Sequence, residues 1–167
     1  LGFAESLKQI LDAILPGYAS YIPIAQIRLE YRDRYIQRVA LEKADAPAWG
    51  QVIKDSSIMP AFGIDRVEPW HCHVGWFEND SEGRRRLINL NVDTNENFHY
   101  SSTELERTIF VYSLVGQQGP FTPEHTRSDL VLKEFFSLHE RSKSVLGSVL
   151  TEAMQRSISL HVNETPT

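Results

Sequence analysis

Leu130–Ile158, LVLKEFFSLHERSKSVLGSVLTEAMQRSI, decides the fold class. Leu132, Phe135, Phe136, His139, Leu146, Val149 and Leu150 recur at helical spacing and line one broad face. Ser128 stands where an N-cap belongs, with Asp129 at the positive end of the helix dipole. Thr151 is a capping residue type too, so the rod is expected to break there. A helix this one-sided needs a surface on which to bury its stripe, and the chain ahead of it supplies one.

Four segments before the rod read as strands: 24–41, 70–77, 84–93 and 108–115. In the first, Ile27, Leu29, Tyr31, Asp33 and Tyr35 share one face, and Arg28, Glu30, Arg32 and Arg34 the other. That alternation means one buried and one wet face. Asn79 to Gly83 has turn composition and joins the second and third strands as a hairpin. The polar run 93–106 reads as a loop, and 43–69, rich in Pro and Gly, as a long connection. Trp49 to Lys54 could make a helical turn within that connection, and Trp49, Ile53, Met59 and Phe62 would pack it down as a cover. Phe3, Leu7, Ile10, Leu11, Ile14 and Leu15 form a short N-terminal amphipathic helix, stopped by Pro16-Gly17 and expected to bury its stripe on the sheet or a preceding segment. The fold class is therefore α+β: an antiparallel sheet of about four strands on a long C-terminal helix, with a short N-terminal helix on the same side. Residues 1–160 are expected to form a single domain, with 161–167 a frayed tail. The start at Leu1 rather than Met points to the C-terminal part of a longer protein or to a processed product.

Bulk properties narrow the partners. The net charge of −5 argues against a nucleic-acid face, which usually shows as a basic excess. No apolar run approaches the roughly 20 residues that cross a bilayer, and the first residues lack the basic-then-apolar layout of a signal peptide. Cys72, the one cysteine, excludes an internal disulfide. A cytoplasmic location is expected.

Three short patterns carry a resemblance. Leu29-Glu30-Tyr31-Arg32-Asp33-Arg34 resembles an L-x-Y-x-[N/D]-R strand, and Leu90-Asn91-Val92-Asp93 an L-D-[I/V]-D strand with Asn91 replacing the first acid. Leu138-His139-Glu140, followed by Leu150-Thr151, resembles a helical LHE…[I/L]-T pattern. Their order is similar to that in the C-terminal portion of a sporadically distributed prokaryotic protein family without an assigned activity, over about residues 24–158. The resemblance implies a strand–helix–four-strand–helix architecture and no chemistry. The patchy occurrence of the family implies an accessory or defence-type setting.

Candidate sites are few. His71 and His73 project from one face of a strand and could share a metal ion, but the further ligands are unspecified. Asp33 interrupts an otherwise apolar face, so it must be paired if buried; Arg38 or His139 is the expected partner. Asp33 and His139 could act as a general acid/base pair, but a polar clamp orienting the helix is the preferred reading, since buried polar groups are usually paired for structural reasons. Arg84-Arg85-Arg86, close to Glu78, Asp80 and Glu82, reads as a solvated hairpin edge rather than a phosphate site. Nucleophile-elbow, phosphate-loop and zinc-protease signatures do not occur. No cofactor is called for. The leading functional expectation is a non-catalytic binding domain for a protein partner or its own copy, with Trp49, Trp70 and Trp76 as anchors. The alternatives are a small-molecule pocket between sheet and helix, or an enzyme using Asp33 and His139.

Overall fold

The computed structural model describes residues 2–18, 21, 23–40, 49–54, 70–99, 101–119, 121 and 127–160. Along them run helix α1 (Phe3–Tyr18), strand β1 (Gln26–Ala40), the one-turn helix α2 (Trp49–Val52), strands β2 (His71–Asn79), β3 (Arg85–His99) and β4 (Glu104–Gln118), the long helix α3 (Ser128–Val149) and the short helix α4 (Glu152–Ser157). The strands form one antiparallel sheet in the order β1-β4-β3-β2, so the fold is α+β. β2, β3 and β4 make a meander, and β1 adds to the free side of β4.

The alternation read from β1 sets the sheet's two faces. Ile27, Leu29 and Tyr35 pack against a core of Ile88, Leu90 and Val92 from β3, Ile109, Val111 and Val115 from β4, and α3. The β2–β3 turn is built on Asp80, whose Oδ1 accepts the N–H groups of Glu82 (2.9 Å) and Arg84 (2.8 Å), with Gly83 at φ 77° supplying the left-handed position. The loop expected over 93–106 is corrected. β3 runs on to His99 and β4 starts at Glu104, with Thr94 opposite Ile109 and His99 opposite Leu105. Backbone pairing holds that end of the hairpin, and a register shift between Asn95 and Phe98 breaks the alternation that would have revealed it.

The face that α3 buries is also corrected. Val131, Leu132, Leu138, Ser142, Val145, Leu146 and Val149 are buried, whereas Phe136 is 42% exposed. Leu138 and Ser142 therefore lie at the centre of the stripe. The helix approaches the sheet closely where two small residues meet: Ser113 Oγ of β4 and Ser142 Oγ are 3.0 Å apart and buried. α1 lies on the flank of α3 rather than on the sheet. Phe3 meets Phe135 at 5.9 Å between ring centroids, Ser128 donates to Asp12, and no α1 side chain is fully buried.

Ion pairs tie α3 down. Arg84 and Arg86, expected as a solvated edge, turn inward onto Glu134, at 2.7 and 3.2 Å. Arg86 is 8% exposed and also donates to Gln117 (2.8 Å) and Ser137 (2.7 Å). About two turns along the helix from Glu134, Arg141 grips Glu78 of β2 bidentately at 2.7 and 2.6 Å. That pairing is the foremost cause holding the Glu78 carboxyl below its ordinary value.

The C-terminal end of α3 has no basic residue of its own. Lys54, following α2, places its ammonium on the Gly147 carbonyl at 2.8 Å and complements the helix dipole from outside. Ile53 bridges to Leu150, and both are fully buried. Thr151 caps α4, its Oγ1 accepting the Met154 N–H, so the rod breaks where expected. Of the proposed cover, Ile53 is thus placed in the core, whereas Met59 and Phe62 lie outside the described residues.

Candidate functional site

A hollow lies between the second half of β1 and the second half of α3. Alternation on β1 aims Tyr31, Asp33 and Tyr35 into it, and α3 contributes His139, Ser142, Lys143 and Leu146. Ile158, Ser159 and Leu160 close the far wall, and the cavity measures about 550 Å³. That wall depends on Ser159, which adopts φ 54°, a left-handed conformation uncommon outside glycine. The kink ends α4 and turns Leu160 back onto the core, where its N–H reaches the Gln155 carbonyl at 2.8 Å.

Asp33 and His139 line the same cleft, but the expected clamp is made by a different residue. His139 Nδ1 hydrogen-bonds the hydroxyl of Tyr31, two positions before Asp33. Arg38 stands an odd number of residues from Asp33, points to the opposite face of the sheet and does not serve it. Asp33 is half-buried, and burial pushes its carboxyl above the ordinary value of 3.8, with no cation offsetting the shift. No described residue hydrogen-bonds to it. The Tyr35 hydroxyl is buried without a hydrogen-bond partner, and its pKa is driven up first by burial and then by the negative charge of Asp33. The other charged side chain at the rim, Lys143, is already engaged with Glu140 at 3.0 Å, whereas Arg34 borders the hollow through β1 and lays its side chain over Phe110 on the opposite face.

The opposite face of the sheet is covered by no described helix. Arg34, Phe110, Asp93 and His71 form one cross-strand row there, and Arg32, Tyr112, Asn91 and His73 the next. His71 pairs with Asp93, and His73 stands exposed on the same face. Among the described residues, no group of three or more His, Cys, Asp or Glu could hold a metal ion. Arginines lie over three of the rings on this face. Arg85 Cζ is 3.7 Å from the Phe77 centroid, Arg32 5.5 Å from that of Tyr112 and Arg34 5.8 Å from that of Phe110. Phe77 is 49% and Phe110 37% exposed. Glu30 binds both Tyr112 and Arg32, and the tyrosine hydrogen bond is the main cause keeping its carboxyl below the ordinary value.

The tryptophans expected as anchors are placed elsewhere. Trp70 and Trp76 are half-buried against the core on the helix-covered face, and Trp49 opens α2. Cys72 is buried opposite Val92, and burial raises its thiol. The arginine-and-aromatic rows were missed because they unite residues from all four strands. Their signal in the sequence is the Arg28-x-x-x-Arg32-x-Arg34 alternation, read there only as a wet face.

No family model, curated protein or solved structure matches the chain. Fold and sites therefore stand on their own geometry. Among the described residues, no helix is long and apolar enough to cross a membrane.

Proposed function

We propose that the protein is a non-catalytic binding domain that docks a protein partner on the open face of its sheet. The observation that carries this reading is the set of guanidinium groups lying over Phe77, Phe110 and Tyr112. Arginine and aromatic side chains are the residues on which interface energy concentrates. A chain of net charge −5 places Arg28, Arg32, Arg34, Arg38 and Arg85 on this one face, with Arg32 and Arg34 shared with Glu30 and Glu106 there. A partner presenting acidic side chains is the complement. A second copy of the chain would set arginine against arginine, and the stacked guanidiniums occupy the ring faces on which nucleotide bases would need to stack. The absence of catalysis is supported by His139 spending its Nδ1 on Tyr31 while Asp33 stands apart from it. The free, buried Cys72 supports a cytoplasmic setting, and the family resemblance supports an accessory or defence-type system.

The test is chemical-shift mapping with a glutamate-rich peptide, beside a single-stranded oligonucleotide and a dilution series of the protein alone. Shifts confined to Phe77, Phe110, Tyr112 and their neighbours, weakened by salt and lost in Arg32→Glu/Arg34→Glu, support the reading. Tighter oligonucleotide binding, concentration-dependent self-association through this face, or peptide shifts elsewhere overturn it.

A further inference from the structure

The cleft on the other side of the sheet is a separate matter, and its chemistry is more restrictive than its size. Its volume of about 550 Å³ falls in the range of pockets that enclose small organic molecules. Two polar groups inside it lack partners among the described residues: the half-buried Asp33 carboxylate has no hydrogen-bond donor, and the Tyr35 hydroxyl is buried without a partner. Native interiors seldom leave such groups unmatched, because each costs free energy that a hydrogen bond would recover. The two lie on the same face of β1, two residues apart, so one donor group could reach both.

Charge decides what that donor is. Among the described lining residues Asp33 has no paired cation: Lys143 is held at the rim by Glu140, and the Arg34 side chain lies on the other face of the sheet. His139 Nδ1 is hydrogen-bonded to the Tyr31 hydroxyl, so that nitrogen faces the tyrosine and not Asp33. An anionic ligand would meet Asp33 with no free cation to hold it, and a neutral one would leave the carboxylate without a counter-charge. Among the described lining residues a metal ion would find a single carboxylate. A positively charged nitrogen fits: its N–H groups can serve Asp33 and Tyr35 together, and the tyrosine rings offer electron-rich faces to the cation. Leu146, Ile158 and Leu160 then form a wall for hydrocarbon.

We propose that the cleft between β1 and α3 binds a small organic ammonium ion carrying an apolar or aromatic body, with Asp33 as counter-ion and Tyr35 as second hydrogen-bond partner. This site faces away from the arginine-covered surface, so it stands or falls independently of partner docking.

Calorimetric titration with phenethylamine, 2-phenylethanol and 3-phenylpropionate tests the proposal, with amide shift mapping to locate binding. The amine should bind about tenfold or more tightly than the alcohol, and the carboxylate should not bind. Shifts should fall on residues 31–35, 139–146 and 158–160. Asp33→Asn should reduce amine affinity to that of the alcohol while retaining a cooperative melt, and Tyr35→Phe should lose about threefold to fivefold. Equal affinity for amine and alcohol, preference for the carboxylate, or shifts away from the cleft in the wild-type protein would overturn it. Unaltered amine binding by Asp33→Asn would do the same.

Discussion

Replacing Glu134 should cost about 3 kcal/mol when Arg86 is present, but only about 0–1 kcal/mol more in a protein that already carries Arg86→Met. In the native protein Glu134 lies between Arg84 at 2.7 Å and Arg86 at 3.2 Å, with side-chain exposures of 9% for the glutamate and 10% for Arg86. Glu134→Leu leaves the Arg86 guanidinium buried with Gln117, Ser137 and a distant Asp80 at 3.8 Å. Breaking a buried pair in this way costs about 3–5 kcal/mol, and the residual Asp80 contact places this case near about 3 kcal/mol. Arg86→Met is milder, at about 2 kcal/mol, because Glu134 keeps Arg84, whose side chain is 32% exposed and can draw on water. The double variant should lose only about 2–3 kcal/mol, since two apolar side chains then fill the space without an orphaned charge. At about 2–4 °C per kcal/mol for a chain of this size, Glu134→Leu lowers Tm by about 6–12 °C. Urea titrations of the four proteins, followed by far-UV circular dichroism, give the cycle. Single-variant losses that simply add in the double, or a Glu134→Leu midpoint equal to wild type, would refute the reasoning.

Other perturbations follow from the same packing. Leu138→Ala empties a fully buried site under the sheet and should cost about 3–5 kcal/mol by denaturant titration. Gly119→Ala would press a Cβ to 2.8 Å from the Ala25 carbonyl and 2.9 Å from that of Ile24, both backbone, and should destabilise by about 1–3 kcal/mol, with faster exchange of the Gly119 and Phe121 amides. Asp33 titrates above its ordinary value when folded, so the folded protein holds that proton more tightly than the unfolded chain. The cost of its charge is therefore present in full at neutral pH and relieved as pH falls through the raised value toward 3.8. Asp33→Asn should accordingly melt higher than wild type at pH 7, by under about 1 kcal/mol because solvent reaches half of the side chain, and the two curves should converge near pH 3. Constant separation across that range would count against the assignment.

The architecture was legible where side-chain pattern and backbone pairing agree. β1 alternates over its length, Asn79 to Gly83 is a turn by composition, and Thr151 is a cap by type, so each lies where the sequence places it. Agreement failed where another force ruled. Residues 94–99 belong to β3 because Thr94, Asn95, Phe98 and His99 pair with β4, although Thr-Asn-Glu-Asn-Phe-His shows no apolar alternation in the sequence. The stripe of α3 was drawn through Phe136, the larger side chain, while the sheet selected Leu138, Ser142 and Val145, because close approach at Ser113 favours small residues. Arg86 is buried because Glu134, 48 positions away, meets it, and no local window contains both. The cleft was half legible. Asp33 stood out as an acid on an apolar face and His139 as a polar residue on a helix stripe, but periodicity cannot say that Tyr31 would take the imidazole and leave the carboxylate alone.

Ser142 belongs at once to the helix–sheet seam, through Ser113, and to the floor of the hollow beside it. The spacing of the two layers and the depth of that recess are thus one mechanical variable. A bulkier side chain at either serine would act as a wedge, lifting the rod and widening the chamber in the same movement, so evolution could resize the compartment without touching a residue that lines it by editing Ser113 alone.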